Sequence, residues 1–327
     1  MQPFGYALAQ DAASAITQAG SAEYPAFIAG GTDLMQLMKE GAAAPDQLID
    51  INILPFTEIS VGPGGLRLGA LARMSDVADD PAVREQYPAI AEALLASASP
   101  QVRNAASIGG NLLQRTRCTY FRDPATPCNK RAPGTGCSAL HGDNRLHAIF
   151  GGSDACVATH PSDLAVALVA LEAAVEVEGP SGRRRIAMGD FHRMPGDAPE
   201  RDTALEPNEL IIGVEVPASA AARRSHYLKV RDRASFEFAL VSVAAGLAVE
   251  DGTIRQARIA AGGVGTKPWR LPAVEQALAG RPIGAASFQE AADRAAEGAQ
   301  PLAHNSFKLE LLRRAVRRAL EMTGGAS

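Results

Sequence analysis

The sequence predicts an α+β protein made of a small α/β unit, a larger mixed unit and a C-terminal unit of strands followed by helices. Three observations predict it. Short apolar runs alternate with helix-forming runs over the first fifty residues, with a glycine turn at one strand-to-helix junction. Gly65–Leu71, Val175–Glu178 and Ile211–Val216 alternate apolar and other residues with the period of a strand. In the last hundred residues, three strand-like segments precede a stripe of Leu309, Leu312, Val316 and Leu320 at spacings of three and four. A chain of 327 residues suggests two or three domains, each large enough to own a core.

The elements follow in order. Ala12–Gln18 is a helix-forming run, and Ala26-Phe27-Ile28-Ala29 is a short strand ended by Gly30-Gly31. Thr32 stands where an N-cap would stand, with Asp33 in the first turn. Leu34, Leu37 and Met38 recur at helical spacing, Gly41 closes that helix, and Gln47–Ile51 returns as a strand. Ser75–Asp79 and Ile90–Ala98 read as helices, and Leu164–Ala174, broken by Glu172, suits a buried one. Pro217–Arg224 reads as a linker, and Tyr227–Val230, Ala239–Val249 and Ile254–Ala261 as strands.

Hydrophobic residues make up 46% and charged residues 21%, an ordinary composition for a soluble globular chain. The net charge of −4, with signs mixed, points to neither nucleic acid nor an anionic membrane. Arg183-Arg184-Arg185 reads as a solvated turn, and Arg313-Arg314 with Arg317-Arg318 as the wet face of a helix. No window approaches 18 uncharged apolar residues, so no membrane span is expected. The start has neither a basic nor an apolar leader region, so export is expected only alongside a partner carrying the signal.

Five segments could carry chemistry. The glycines of Ile28–Met35 would let a backbone approach a pyrophosphate, with free amides favouring its charge, although Gly-Gly after a strand is more commonly a turn. Ala106–Asn111 is similar: Ser107 and Asn111 could bond phosphate or ribitol oxygens, yet such a glycine pair is commonly a packing contact. Ser162 and Asp163 suit a helix cap. Lys229, inside a charged strand, either faces solvent or stabilises negative charge beside a flavin.

All four cysteines, Cys118, Cys128, Cys137 and Cys156, fall in one proline- and glycine-rich stretch too poor in apolar residues for a core of its own. A chain without a leader should not spend them on disulfides. Four thiolates suit an iron–sulfur cluster or a zinc site, and the gaps of nine, eight and eighteen residues are unusual for a zinc ribbon. His141, His147 and His160 lie near enough in sequence to replace a ligand. Spacing alone puts metal binding ahead of four unrelated thiols and leaves the metal open.

Taken in order, these segments resemble the FAD subunit of the xanthine dehydrogenase and carbon monoxide dehydrogenase family of molybdenum hydroxylases, over nearly the whole chain. The resemblance implies FAD held by Phe27, Ile28, Ala29, Gly30, Gly31, Thr32, Asp33 and Leu34 and by a second loop of Ser107, Gly109, Gly110 and Asn111. Asp163 looks like the aspartate of the family's Ser-Asp-Leu, and Ile212 and Lys229 look like positions bordering the isoalloxazine. Ala261–Gly265 with Lys267, Pro268 and Arg270 resembles the start of the C-terminal domain's closing segment. The implied fold is a two-part FAD-binding domain, 1–53 and 54–220, followed by an α+β domain, 221–327, with an antiparallel sheet.

The stretch 115–158 resembles the insertion by which the FAD subunit of periplasmic aldehyde oxidoreductases holds a [4Fe–4S] cluster on Cys118, Cys128, Cys137 and Cys156. The implied function is electron transfer within a heterotrimer. A large partner with a molybdenum cofactor oxidises an aldehyde, a small partner with [2Fe–2S] clusters relays electrons, and FAD passes them to an external acceptor. No residue of this chain is then an acid or base for the substrate. Two rivals stay open: a subunit running in the reductive direction, like that of 4-hydroxybenzoyl-CoA reductase, and a zinc-stabilised scaffold without redox activity. The implied location is the periplasm, by co-export, with the cytoplasm as the alternative.

Overall fold

The computed structural model describes residues 1–325. Strands β1 (Gly5–Leu8), β2 (Pro25–Ile28) and β3 (Gln47–Asp50) form a parallel sheet in the order β1-β3-β2. Parallel neighbours need crossovers, and the helices Ala12–Gly20 and Leu34–Glu40 supply them. The first is capped by Asp11, which accepts from Ser14 N while the Ser14 side chain caps in return. The second ends at Gly41, whose φ of 76° suits a residue without a Cβ. Its N-cap position is Asp33 rather than the expected Thr32, and no side chain caps it.

The second unit is an antiparallel sheet of β4 (Ile59–Gly62), β5 (Gly65–Gly69), β6 (Ala174–Gly179), β7 (Gly182–Ala187) and β8 (Leu210–Pro217), in the order β4-β5-β8-β6-β7. Leu66, Leu68, Val175, Val177, Val214 and Val216 alternate inward from it, against Ile90 and Leu94 of the helix Pro88–Ala96. Arg183-Arg184-Arg185 is not a turn but lies on edge strand β7, exposed, with ion pairs to Glu178, Glu209 and Glu215. Cations on an edge discourage another strand from pairing there.

The C-terminal unit is an antiparallel sheet of β9 (Ser225–Val230), β10 (Val241–Glu250), β11 (Thr253–Gly262) and β12 (Trp269–Arg270), ordered β12-β11-β10-β9. Asp251-Gly252, both at positive φ, turn β10 into β11 as an Asp-Gly hairpin does. The helix Phe307–Gly324 covers the sheet through Leu312, Ala315, Val316, Ala319 and Leu320. The expected linker before β9 is instead partly a helix, Ala220–Arg223, because Ser219 caps it and Ala221 and Ala222 bury their methyls.

One helix joins the two larger units. Asp163–Ala170 is buried at every residue, and its core takes side chains from the five-stranded sheet and also Tyr227, Ala244 and Ala260 from the four-stranded one. A helix apolar all round is stable only when enclosed in this way. It ends where Glu172 takes a positive φ. Among the described residues no helix is long and apolar enough to cross a membrane.

Candidate functional site

The two glycine loops meet. A Cβ on Gly30 would stand 2.0 Å from the carbonyl oxygen of Ala105, so the loop after β2 rests directly on the backbone that leads into the second loop. Arg73 ties them further: Nη1 donates to Ala105 O at 2.7 Å and Nη2 to Asn52 Oδ1 at 3.0 Å. Asn52 Nδ2 in turn donates to Ala29 O at 3.0 Å. Gly31 has φ 66°. The amides of Gly31, Thr32 and Asp33 donate to no protein acceptor among the described residues, so three successive N–H groups stay available to an anion.

The second loop opens the short helix Ile108–Leu112, with Ser107 Oγ accepting from Gly110 N at 3.2 Å. Gly109 packs on Ala70. Asn111 is buried, accepts from Ser162 Oγ at 2.6 Å and donates to Met74 Sδ at 3.4 Å. Ser107 and Asn111, expected to reach phosphate or ribitol oxygens, thus both hold partners inside the protein. Their bonds carry the loop to Ser162, which caps the buried helix through Ala165 N.

Asp163 follows at that helix start. Its carboxylate accepts from Tyr227 OH at 2.6 Å, Lys229 Nζ at 2.8 Å and Ser97 Oγ at 2.9 Å. Lys229 does not face solvent: its side chain is 4% exposed, and it also donates to Ala96 O. Asp163 and Lys229 therefore lie side by side and join the helical layer to β9. Ile212 lies elsewhere, in the apolar cluster that β8 shares with Phe27, Ala29, Ile49 and Leu54 of the N-terminal unit.

Asp33 links the first loop to the insertion. It takes a hydrogen bond from Arg115 N at 2.8 Å and ion pairs from Arg117 and from Arg122 at 2.8 Å. Burial alone would raise its carboxyl, but the guanidinium groups of Arg117 and Arg122 and the Arg115 amide hold it below the ordinary 3.8. A carboxyl held low in the folded state keeps its charge where the unfolded chain takes up a proton. Its contribution is therefore full above pH 3.8 and is lost as pH falls below that value. Asp33→Asn should flatten the acid limb of a stability-against-pH curve below about pH 4 relative to the wild type, as followed by urea unfolding.

A cavity of about 320 Å³ opens between the insertion and the C-terminal sheet, lined among others by Cys118, His147, His160, Asp163, Phe238 and Gly263. Phe238 comes from the β9–β10 connection and lies under the Arg117 guanidinium, 4.8 Å from its ring centre. Beside this cavity all four cysteines line one narrow pocket, so Cys118 forms part of both walls. Cys128 and Cys137 face each other as a lone antiparallel bridge. Burial pushes the Cys118 thiol up to about 12, with Cys156 and Cys128 adding to it, and burial likewise raises Cys156. Four thiols lining one pocket form an electron-rich donor set that a cationic group would stabilise. No three His, Cys, Asp or Glu side chains among the described residues converge as ligands on a single ion. The thiols surround a space rather than a point.

Arg131 donates to Tyr120 O and Phe121 O at 2.7 Å, and Lys130 pairs with Asp202, so polar bonds supply much of the order that apolar packing does not. Of the three nearby histidines, His147 reaches a cysteine, with Nε2 3.2 Å from Cys118 Sγ. His160 instead accepts from Ser162 N and lies against His192, ring centres 4.0 Å apart. Arg117, Arg122 and Lys308 carry no site role in the sequence pattern, and Tyr227 only marks the start of the Lys229 strand. Lys308 had a signal: it stands four residues before Leu312, on the buried stripe of the last helix, and is fully buried.

The comparisons with known proteins agree with this arrangement. The family described as the FAD binding domain in molybdopterin dehydrogenase matches residues 2–219. The chain belongs to this flavoprotein family. The family described as the CO dehydrogenase flavoprotein C-terminal domain matches residues 226–323. The aldehyde oxidoreductase FAD-binding subunit PaoB of Escherichia coli is 47% identical over 96% of each chain. The carbon monoxide dehydrogenase medium chain of Hydrogenophaga pseudoflava is 28% identical over 90% of this chain and 87% of that one. A solved structure of that dehydrogenase, lacking the Mo-pyranopterin moiety of its molybdenum cofactor, superposes with a TM-score of 0.76 at 26% identity over 99% of this chain and 98% of that one. The protein is thus an FAD-binding oxidoreductase subunit of the molybdenum hydroxylase type. Family membership decides for a redox subunit over the scaffold alternative.

Proposed function

We propose that this subunit binds FAD and one [4Fe–4S] cluster and transfers electrons within a heterotrimeric, molybdenum-containing aldehyde oxidoreductase. The observation that carries the cluster is the pocket lined by Cys118, Cys128, Cys137 and Cys156 together. A cubane takes one thiolate on each of four irons, so its ligands surround a space, as these do. The aldehyde chemistry rests on the likeness to PaoB. The molybdenum partner would then oxidise the aldehyde and a [2Fe–2S] partner would relay electrons to this chain.

The chain's own residues hold and shield the cofactors. The free amides of Gly31, Thr32 and Asp33, the close backbone at Gly30 and the bare Cα of Gly110 suit a pyrophosphate. Ser162 connects that place to the cavity at Asp163, where an isoalloxazine would lie with Lys229 behind the Asp163 carboxylate. Bound FAD supplies one- and two-electron exchange, and the cluster one-electron exchange; the protein tunes both. The domain division 1–53, 54–220 and 221–327, with the insertion at 115–158, follows the same reading. For location we favour the periplasm, reached with a signal-bearing partner. Fractionation with and without that partner's signal tests this, and periplasmic protein in the absence of any partner would contradict it.

Single Cys→Ser changes test the cluster. Each is expected to remove most of the iron and acid-labile sulfide from anaerobically purified complex while FAD stays bound, because both glycine loops lie outside the insertion. Zinc in place of iron in the wild type, or four irons per chain remaining after two of the cysteines are replaced, would refute the assignment.

A further inference from the structure

The structure places a histidine against one of the four cysteines, on the side of the neighbouring cavity. His147 is buried, and its Nε2 lies 3.2 Å from Cys118 Sγ. Its other ring nitrogen, Nδ1, is buried without a partner. A thiolate bound to iron has no proton to give, so the hydrogen bond between the two must be donated by the imidazole, from Nε2–H. The ring's position is set from behind. Lys308 Nζ donates to His147 O at 2.9 Å and to Gly263 O at 2.7 Å, and Asn305 Nδ2 donates to His147 O at 3.1 Å. His147 N donates to Asn144 O at 3.0 Å. Lys308 and Asn305 come from the C-terminal unit and are fully buried, and His147 with Gly263 lines the cavity on the far side of Cys118. The C-terminal unit therefore holds a residue of the insertion against a cluster ligand.

We propose that His147 is a positioning residue of the cluster site, which donates a hydrogen bond to the Cys118 thiolate and raises the cluster's reduction potential, and that Lys308 holds it there. The physical reason is charge. Reducing the cluster by one electron adds negative charge shared with its thiolates, and a hydrogen bond to one of them stabilises that charge more in the reduced form than in the oxidised form. This inference rests on the [4Fe–4S] reading above.

The test is an EPR-monitored redox titration of the purified complex with dithionite and ferricyanide as titrants, for wild type, His147→Leu, His147→Gln and Lys308→Met, with iron, sulfide and FAD measured on each. His147→Leu removes the donor at similar bulk and is expected to shift the cluster's midpoint to a more negative value, with iron and FAD content retained. His147→Gln keeps an N–H of similar reach and is expected to restore part of the shift. Lys308→Met frees the backbone of His147 and is expected to move the midpoint in the same direction by less. An unchanged midpoint in His147→Leu with the cluster present overturns the hydrogen-bond role. Loss of iron in both His147 variants, with a cluster surviving Cys118→Ser, would make the histidine a ligand instead and overturn it as well. A wild-type complex without iron and sulfide would overturn the cluster reading itself, which is a separate outcome.

Discussion

Gly30→Ala is expected to cost the subunit its FAD and about 1–3 kcal/mol of stability, near the upper end of that range. The added methyl would stand 2.0 Å from Ala105 O, and that oxygen belongs to backbone, which cannot rotate aside as a side chain can. Accommodation requires the first loop to withdraw from the segment leading into Ser107. That withdrawal breaks the chain of bonds from Ala29 through Asn52 and Arg73 to Ala105. It also moves the free amides of Gly31 to Asp33 away from the second loop. Gly62→Ala, on edge strand β4 and outside both loops, is the control, since its Cβ would meet nothing within 4 Å. Flavin absorbance per chain after gel filtration, together with urea unfolding, measures both. Full FAD occupancy in a folded Gly30→Ala protein would show that the contact between the loops does not shape the site.

Asp163→Ala is expected to destabilise the protein by about 3–5 kcal/mol, because it removes one partner of a buried ion pair and leaves the other charged. The pair is enclosed on both sides, with side-chain exposures of 4% for Lys229 and 6% for Asp163. Tyr227 OH would lose its carboxylate acceptor in the same step, which adds to the loss, whereas Ser97 Oγ keeps Ala93 O at 2.8 Å. The double change Asp163→Ala with Lys229→Met removes both charges and should recover part of the difference, as a double-mutant cycle on urea unfolding would show. Independent, additive losses from the two single changes would contradict a pair acting as a unit.

These two results bear on how the site could be read. The glycines at 30, 31, 109 and 110 were visible because only glycine permits close backbone approach, and the sequence carries them as adjacent pairs. That the first pair rests on Ala105, seventy-five residues away, was not visible, since no local pattern records which loops meet. Asp163 was read as a helix-start residue with a flavin neighbour. Its position at the start of the buried helix holds, while its three protein partners come from Ser97, Tyr227 and Lys229, two of them on β9. Lys229 looked ambiguous because alternation in a strand says which face a residue takes but not what covers that face. Here the enclosed helix covers it.

By itself the sequence determined the type of many elements, the two glycine loops, the four thiols confined to one stretch, and, through their order, the flavoprotein family. These are local features: periodicity, backbone permissiveness and residue type act within a few positions of one another. Only the tertiary structure decided which of them share a site. It turned Arg183–Arg185 from a turn into an edge strand, because pairing with Glu178, Glu209 and Glu215 needs the sheet to exist. It made Lys308 a buried tie between Gly263 and His147, and it chose His147 over His141 and His160 as the histidine that meets a cysteine. Each of these contacts joins residues far apart in the chain, and long-range pairing depends on how whole sheets and helices pack, which no short window of sequence encodes.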